Sequence, residues 1–242
     1  MNLIYDIGNT CNKLAIYDQD KMVFSVRTKP LSCEAIQELI SPYKIDKAII
    51  CSVKNLPEFI YDLIGVDLPN VLVLNHKTRL PFKNEYDTPE TLGPDRMAAV
   101  AGAYRLYRGR NVLVIDAGTA ITYDYLSGRS YKGGTISPGL NMRFRALHKF
   151  TSRLPLCAAV EKYDSPGKNT IEAITAGAIN GLLFEVREYI RLFDEKYIDS
   201  VTVITGGDGR YLKDKIKSKI NYQPDLVMDG LNYILEYNAE HA

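Results

Sequence analysis

The sequence lacks an excess of either charge, and it lacks any long hydrophobic run. Its 242 residues include 30 Lys and Arg against 29 Asp and Glu, so the formal net charge is only +1. A chain of that charge has no overall field that would hold a nucleic-acid backbone or an anionic membrane. Apolar runs such as Ala48–Val53 fall far short of the roughly 18 residues that a membrane-spanning helix needs. We therefore expect no nucleic acid and no membrane among the partners, and the function must come from a local site.

Cysteine and histidine are also scarce, and neither shows the spacing of a metal site. The cysteines lie too far apart for a paired zinc-ligand motif and are most simply free thiols in a reducing compartment; they are Cys11, Cys33, Cys51 and Cys157. The histidines show neither His-Glu-x-x-His spacing nor a Ser-His-Asp arrangement, which argues against a hydrolase. No basic segment followed by an apolar run opens the chain, so we expect no secretion signal and a cytoplasmic protein.

The residues that are present have the composition of a globular protein. With 46% apolar and 24% charged residues, the chain is long enough for one large domain or two small ones. The β-prone runs Leu3–Ile7, Lys13–Tyr17 and Met22–Arg27 are separated by turn residues, which predicts an antiparallel meander. The segments that follow alternate: a helix near 32–40, a strand over 47–53, a helix near 56–64 and a strand over 71–74. Such alternation predicts a largely parallel, covered sheet.

The opening pattern recurs in the second half of the chain. Val112–Ala120 again ends an apolar run in an acid, a glycine and a threonine, and β-prone runs over 121–126 and 130–136 follow. Asp116 follows Asp6 by 110 residues, an offset near half the chain that suggests a duplicated β-rich unit followed by helices. We expect an α/β protein with mixed sheets flanked by helices, in which two similar halves, residues 1–111 and 112–242, meet at a cleft.

The strongest helical pattern runs from Thr170 to about Lys196. Apolar residues at steps of three and four predict a stripe that faces the core; they are Ile171, Ile174, Ala178, Leu182, Val186 and Ile190. Gly177 and Gly181 lie four apart on this helix, and each costs roughly 1 kcal/mol relative to Ala. We expect a tight contact with another helix or another subunit to justify them.

Two turns carry residue types that bind phosphate. In Asp6–Thr10, Gly8 lets the backbone approach an anion, Thr10 offers a hydroxyl and an amide, and Asp6 could hold a hydrated Mg²⁺. Taken alone, this motif is more simply explained as an ordinary hairpin turn. The second turn, Asp116–Ala120, repeats the acid and the Gly-Thr pair, and two such turns can clamp one polyphosphate.

A third glycine-rich segment, Thr205–Gly209, follows an apolar strand over 200–204 and opens onto a helix. Its backbone could therefore lie close to a flat base and ribose, although a helix-associated turn without a ligand explains it as well. Neither the Walker pattern nor Gly-x-Gly-x-x-Gly after a strand is present. Phosphate binding must then use β-turns rather than a P-loop or a Rossmann turn.

The Asp-x-Gly-Asn-Thr and Asp-x-Gly-Thr-Ala pair resembles the superfamily of acetate kinases, sugar kinases, Hsp70 and actin. Within that superfamily, the chain is most similar to type III pantothenate kinases. The motifs that carry the resemblance span the chain in that family's order: Asp6–Lys13, Tyr86, Leu92–Arg96, Asp116–Ala120, Gly133–Gly139, Asn169–Thr170 and Thr205–Gly207. The resemblance implies two ribonuclease H-like domains with ATP between them. It also implies transfer of the γ-phosphoryl group of ATP to the primary hydroxyl of pantothenate, the first step of coenzyme A biosynthesis.

The resemblance assigns roles to the Gly-x-Asp-Arg signature. It makes Asp95 the general base that accepts the proton of the substrate hydroxyl, and Arg96 the fork that grips the pantothenate carboxylate. The other pantothenate-binding residues that it implies are Tyr86, Gly93, Pro94 and Thr170. Simpler explanations stay open for three of these residues: a helix N-cap for Asp95 and for Thr170, and a surface salt bridge for Arg96.

The resemblance also implies how ATP, cations and a second subunit bind. The first-turn residues that would bind nucleotide are Asp6, Ile7, Gly8, Asn9, Thr10, Cys11, Asn12 and Lys13. Thr119 would add a contact from the second turn. Asp6 would hold Mg²⁺, and Asp116 would hold a monovalent cation, potassium or ammonium. Members of the family are homodimers, with the substrate site at or near the subunit contact. For Gly133–Gly139 we predict only a turn before a helix at Leu140.

Two other functions stay open. Another kinase or a phosphatase of the superfamily would act on a different small hydroxylated or carboxylated acceptor, although the Gly93–Arg96 signature argues against it. A regulatory protein of the same fold would have lost turnover, since paralogues of this kind act in transcription. The near-neutral charge and the intact Asp95 weigh against direct DNA binding.

Overall fold

The structure is a computed structural model of the chain, and it describes residues 1–29, 31–56, 60, 70–216 and 218–241. The chain forms two compact units. The first consists of Met1–Gly109, Arg129–Lys132 and Asp225–Ala242, and the second of Arg110–Gly128 and Gly133–Pro224. The prediction divides the chain into residues 1–111 and 112–242. The main difference is that residues 225–242 belong to the first unit. The division into two ribonuclease H-like domains at that boundary stays a prediction.

The described part of the chain alternates between strands and helices. The strands are β1 (Asn2–Ile7), β2 (Asn12–Asp18), β3 (Lys21–Thr28), β4 (Lys47–Ser52), β5 (Val71–Val73), β6 (Lys83–Asn84), β7 (Asn111–Ala117), β8 (Ala120–Ser127), β9 (Ser130–Pro138), β10 (Val201–Thr205) and β11 (Ile220–Tyr222). The helices are α1 (Cys33–Ile40), α2 (Pro94–Leu106), α3 (Leu140–Lys149), α4 (Thr170–Lys196), α5 (Gly209–Lys215) and α6 (Leu226–Glu240), with a 3-10 turn over Pro89–Thr91.

The first unit contains the predicted antiparallel meander. Strands β1, β2 and β3 pair in sequence, and β4 and β5 extend the sheet in parallel on the other side of β1, so the order is β3-β2-β1-β4-β5. Most residues of β1 and β4 are buried, as expected of central strands with both faces covered. Ile7 and Ser52 are partners at the carboxyl ends of these two strands. The segments that follow them therefore lie at one edge of the sheet.

Helix α6 comes last in the chain but packs inside the first unit, against α2. Gly230 makes this contact close, because a Cβ at that position would lie 1.8 Å from the carbonyl oxygen of Ala98. Every residue of α2 from Met97 to Tyr104 is buried, since α6 covers one side and the sheet lies on another. The first turn of α2 is thereby fixed in place.

The second unit repeats the strand arrangement of the first. Strands β7 and β8 are antiparallel, β10 pairs in parallel with β7, and β11 pairs in parallel with β10. The strand order is β11-β10-β7-β8-β9-β6. Strand β6 pairs with residues 130–131 of β9. These two residues and β6 belong to the first unit. The orders β3-β2-β1-β4 and β9-β8-β7-β10 are equivalent. The repeat predicted from Asp6 and Asp116 is confirmed at the level of topology.

Helix α4 has the predicted bounds but not all of the predicted packing. The stripe residues that are buried are Ile174, Ala178, Leu182, Val186 and Ile190. Ile171 is 60% exposed, so its assignment to the core was wrong: it lies in the first turn, before the buried part of the helix. A Cβ at Gly177 would meet no described atom within 4 Å, and one at Gly181 would meet only the Arg143 guanidinium, at 3.8 Å. A tight contact with another helix of the described chain is therefore wrong for both glycines.

Three further predictions concern features outside the sheets. The helix predicted near 56–64 lies, apart from residues 56 and 60, outside the described residues. The cysteines are free thiols, with Cys51 buried and Cys11 exposed. Among the described residues, no helix combines the length and the apolar character needed to cross a membrane.

Candidate active site

The first phosphate-type turn lies between β1 and β2 at the edge of the sheet in the first unit. Gly8 is required there by close approach, because a Cβ would lie 2.7 Å from the carbonyl oxygen of Cys11. Asn9, Thr10 and Cys11 are exposed at the tip. Lys54, which follows β4, donates a hydrogen bond of 3.0 Å from Nζ to the carbonyl oxygen of Asn9. Sequence reasoning missed this lysine, whose only signal is its place just beyond the strand parallel to β1.

Asp6 stands at the base of this turn between two different neighbours. The strand register sets it opposite Lys13 on β2 and opposite Cys51 on β4. The pKa of Asp6 is raised to about 6. Burial is the main cause and the negative charge of Asp95 adds to it, while the positive charge of Lys13 and a hydrogen bond from the Cys51 thiol act in the opposite direction. Burial, together with the carboxylates of Asp6 and Asp95, also raises the pKa of Cys51. The first unit therefore brings Asp6, Cys51 and Asp95 into one acidic cluster.

Asp95 lies in the first turn of α2, but it is not the N-cap. The cap position belongs to Gly93, and Pro94 follows as the first helical residue, where its fixed φ and missing N–H are tolerated. The Asp95 Oδ1 accepts a hydrogen bond of 2.9 Å from the backbone N–H of Arg96. The alternative of a helix cap at Asp95 is therefore wrong.

Arg96 is buried, with only 5% of its surface exposed, so the alternative of a surface salt bridge is wrong. Its guanidinium lies 5.6 Å from the centre of the Tyr86 ring, within the range of a cation–π contact. Tyr86 in turn stacks on the buried Tyr131, with ring centres 6.2 Å apart. The loop before α2 and the start of β9 therefore fix the ring that faces Arg96. Tyr131 is a second residue that sequence reasoning missed.

The second phosphate-type turn lies in the second unit, where β7 ends. Two glycine-containing segments pack closely against this turn. Gly206 has φ of +89°, and a Cβ there would lie 2.4 Å from the Oδ1 of Asp116 and 2.5 Å from the carbonyl oxygen of Ala117. Gly139, at the start of α3, donates a backbone hydrogen bond of 3.2 Å to the carbonyl oxygen of Thr119. The segments Asp116–Ala120, Thr205–Gly209 and Gly133–Gly139 thus meet, and the Thr119 side chain stays exposed.

Thr170 also belongs to the second unit, as the first residue of α4. The cap of this helix is Asn169, whose Oδ1 accepts a hydrogen bond of 3.0 Å from the backbone N–H of Glu172, so the alternative of a helix cap at Thr170 is wrong. Thr170 is exposed and lines a cavity of about 890 Å³ between α3 and α4, together with Pro138, Arg143 and Gly177.

The residues of the first turn fit a magnesium ion that also binds phosphate. Carboxylate oxygen is a preferred ligand of Mg²⁺, which proteins usually hold through one or two carboxylates together with substrate phosphates. Asp6 supplies one such carboxylate. Its raised pKa reflects the free-energy cost of a buried negative charge, and a bound cation would offset that cost. Among the described residues there is no group of three His, Cys, Asp or Glu side chains that could hold a metal alone.

The repeated sheet with an acid-tipped turn in each unit defines the class of the protein: it has the ribonuclease H-like fold of the sugar kinases. Its structure matches a ROK family glucokinase from Streptomyces griseus with a TM-score of 0.55 at 12% identity, over 98% of each chain. It also matches a protein assigned to the Baf family of transcriptional activators, from Campylobacter jejuni, with a TM-score of 0.63 at 24% identity, over 98% of this chain and 99% of the other. At such identities these likenesses show the fold alone.

The chain belongs to the type III pantothenate kinase family. The model of that family matches residues 2–192. A type III pantothenate kinase from Bacteroides fragilis is 44% identical over 239 residues, which cover 98% of each chain. Another, from Porphyromonas gingivalis, is 44% identical over 243 residues and 99% of its length.

Proposed function

We propose that the chain is a kinase that transfers the γ-phosphoryl group of ATP to the primary hydroxyl of pantothenate and forms 4′-phosphopantothenate, the first step of coenzyme A biosynthesis. The family and its curated relatives support this reaction. The observation that carries the proposal is the pair Asp95 and Arg96: a carboxylate beside the phosphate-type turn, followed by a buried guanidinium. A cytoplasmic location suits a biosynthetic enzyme of this kind.

Asp95 is the general base. Its carboxylate accepts the proton of the substrate hydroxyl while that oxygen forms a bond to the γ-phosphorus and the bond from the γ-phosphorus to the bridging oxygen of ADP breaks. The Asp6 carboxylate lies close enough to Asp95 for their negative charges to interact. The hydrogen bond from the Arg96 backbone holds the carboxylate in a fixed direction.

Arg96 binds the carboxylate of pantothenate. A guanidinium presents two parallel donors that match a carboxylate, which an ammonium does not. Burial strengthens this pairing, because water competes less for the charged groups. Tyr86 packs against the guanidinium and limits its rotation, while Gly93 and Pro94 shape the turn beside it. Thr170 contributes its hydroxyl to the same substrate.

The first turn binds the phosphates of ATP through the segment 6–13, and Thr119 binds from the second turn. Asp6 is the carboxylate that holds Mg²⁺, which neutralises phosphate charge when it is bound. Asp116, with backbone oxygens around it, is the ligand for a monovalent cation, potassium or ammonium. Replacing potassium by sodium in the assay is expected to lower the rate, and equal rates with both ions would contradict the cation site.

The active form is a homodimer with the subunit contact on α4. Phe184 is 62% exposed on this helix, and the surface at Gly177 is open, so a second copy could approach the helix closely there. Light scattering of the purified protein is expected to give twice the chain mass. A Gly177→Gln variant is expected to dissociate and lose turnover; a fully active monomer would contradict this part of the proposal.

An acceptor screen tests the function. ADP release is measured with ATP, Mg²⁺ and potassium, with pantothenate or one of a panel of small hydroxy acids and sugars as acceptor, and the product is identified by mass spectrometry. Pantothenate-dependent release of ADP with one added phosphate on pantothenate is expected. Faster turnover of another acceptor would favour a different kinase of the superfamily. Nucleotide binding without turnover of any acceptor would favour a regulatory protein.

A further inference from the structure

Gly139, the last residue of the segment Gly133–Gly139, lies directly on the second phosphate-type turn. The turn predicted over this segment is wrong up to Pro138, where the chain still belongs to β9, although the helix begins at Leu140 as predicted. The backbone N–H of Gly139 donates to the carbonyl oxygen of Thr119 at 3.2 Å. A Cβ at Gly139 would lie 2.3 Å from the carbonyl oxygen of Gly118 and 2.5 Å from that of Thr119. The position of the turn backbone therefore depends on where residue 139 is held.

An ion pair holds the two residues before Gly139. Arg143 on α3 donates to the Oε2 of Glu185 on α4 at 2.5 Å, and its Nε donates to the carbonyl oxygen of Pro138 at 2.9 Å. The hydroxyl of Ser137 donates to the same Glu185 oxygen at 3.1 Å. Arg143 also donates to the Ser137 hydroxyl oxygen at 3.2 Å. Both members of the pair thus bind the end of β9.

Glu185 is itself anchored to the strand that leaves the turn. Its Oε1 accepts a hydrogen bond of 2.9 Å from the hydroxyl of Tyr123 on β8, and the buried Tyr123 ring stacks on Tyr189 with ring centres 3.9 Å apart. The side chains of Arg143 and Glu185 are only 21% and 23% exposed, so solvent weakens this pair less than a surface pair. The network ties α3, α4, β8 and β9 together around one carboxylate.

We propose that Arg143 and Glu185 are positioning residues for the nucleotide. They hold Ser137 and Pro138 so that Gly139 supports the Gly118–Thr119 turn, and loss of the pair weakens nucleotide binding at that turn. The inference deepens the proposed function and rests on it, because it takes Thr119 as a nucleotide contact. It also gives the glycine-rich segment before α3 a role in substrate binding.

The test compares Glu185→Gln with Asp214→Asn, which removes the same charge from the exposed Arg210–Asp214 pair of the second unit. The dissociation constant of Mg²⁺–ADP is measured by calorimetry, and kcat and both KM values are measured by ADP release. For Glu185→Gln, the ADP dissociation constant and the KM for ATP are expected to rise about tenfold, since hydrogen bonds to charged groups are among the stronger ones. The KM for pantothenate and the midpoint of thermal unfolding are expected to stay close to those of the Asp214→Asn control.

Two further variants separate positioning from folding. Ser137→Ala removes the two hydrogen bonds of the Ser137 hydroxyl, one to Glu185 and one from Arg143, and leaves the ion pair. The ADP affinity is therefore expected to fall about two- to threefold. The Arg143→Met variant is expected to bind ADP as weakly as the double variant that also carries Glu185→Gln, because the two residues act as a unit. If Glu185→Gln fails to fold, Ser137→Ala and Arg143→Met decide the question by the same affinities.

The outcomes distinguish this inference from the proposed function. Unchanged ADP affinity in all of these variants would overturn the inference, as would a rise confined to the KM for pantothenate, because Arg143 also lines the cavity beside Thr170. Additive losses in the double variant would overturn it too. Weakened ADP binding in a protein that phosphorylates another acceptor would keep the inference while the pantothenate assignment fails.

Discussion

Replacing Asp6 by Asn is expected to stabilise the protein and to abolish its activity. Burial and the nearby charge of Asp95 raise the pKa of Asp6 from its usual value of 3.8 to about 6. The folded protein therefore holds the Asp6 proton more tightly than the unfolded chain does. As pH rises from 3.8 to 6, the unfolded chain ionises first, so the free energy of unfolding falls across this window and stays reduced at higher pH. Asn resembles the protonated side chain and removes this loss.

The size of the effect follows from the shift in the pKa of Asp6. A change from 3.8 to about 6 corresponds to about 3 kcal/mol of unfolding free energy at pH 8, at 1.36 kcal/mol for each unit, and to about half of that at pH 5. For a chain of this size, that equals a rise of about 6–12 °C in the midpoint of thermal unfolding at pH 8. Activity is lost because Asn cannot supply the negatively charged oxygen proposed to hold Mg²⁺.

The assay is thermal unfolding, followed by circular dichroism at pH 5 and pH 8, of the wild type, Asp6→Asn and the control Asp18→Asn. Asp18 lies exposed at the other end of β2, so its replacement is expected to change the midpoint by about 1 °C or less at both pH values. An Asp6→Asn protein that is no more stable than the wild type at pH 8 would refute the reasoning. An equal gain at both pH values would refute its electrostatic origin.

Two substitutions test other parts of the site. Arg96→Lys keeps the positive charge but loses the planar guanidinium. In steady-state ADP release, the KM for pantothenate is expected to rise about tenfold or more, while the KM for ATP stays unchanged. An unchanged KM for pantothenate would argue against carboxylate binding by Arg96. Gly206→Ala forces a side chain into a left-handed backbone beside Asp116 and is expected to lower the unfolding free energy by about 3 kcal/mol, measured by urea denaturation. Gly207→Ala is its control, because a Cβ there would meet no described atom within 4 Å; equal stabilities of the two variants would contradict the packing of this loop.

Local patterns in the sequence predict the elements well and the contacts between distant elements poorly. The meander and the bounds of α4 follow from turn residues and from the spacing of apolar residues, which are local properties. The acidic cluster of Asp6, Cys51 and Asp95 depends on the parallel pairing of β1 with β4 and on the approach of α2, and no local pattern reveals either. The contact of Lys54 with the Asn9 carbonyl oxygen depends on the same strand pairing.

The glycines show a second limit of sequence reasoning. The sequence predicts a tight contact at Gly177 and Gly181, but the close helix contact of the first unit involves Gly230, in a helix that the repeat places in the other half of the chain. A missing side chain reveals a need for space or for backbone freedom, but the partner that needs the space is known only from the fold. The same holds for Gly139, whose contact with the second turn is not visible in its motif.

The central claim is that Asp95 removes the proton from the hydroxyl that attacks ATP. The most direct measurement is the single-turnover rate of phosphopantothenate formation by Asp95→Asn, with the dissociation constants of ADP and pantothenate measured on the same protein. Loss of a general base lowers the rate by about 10²- to 10⁴-fold, and we expect that loss with both dissociation constants within about threefold of those of the wild type. A rate within about tenfold of the wild type, at saturating substrates, would contradict the account.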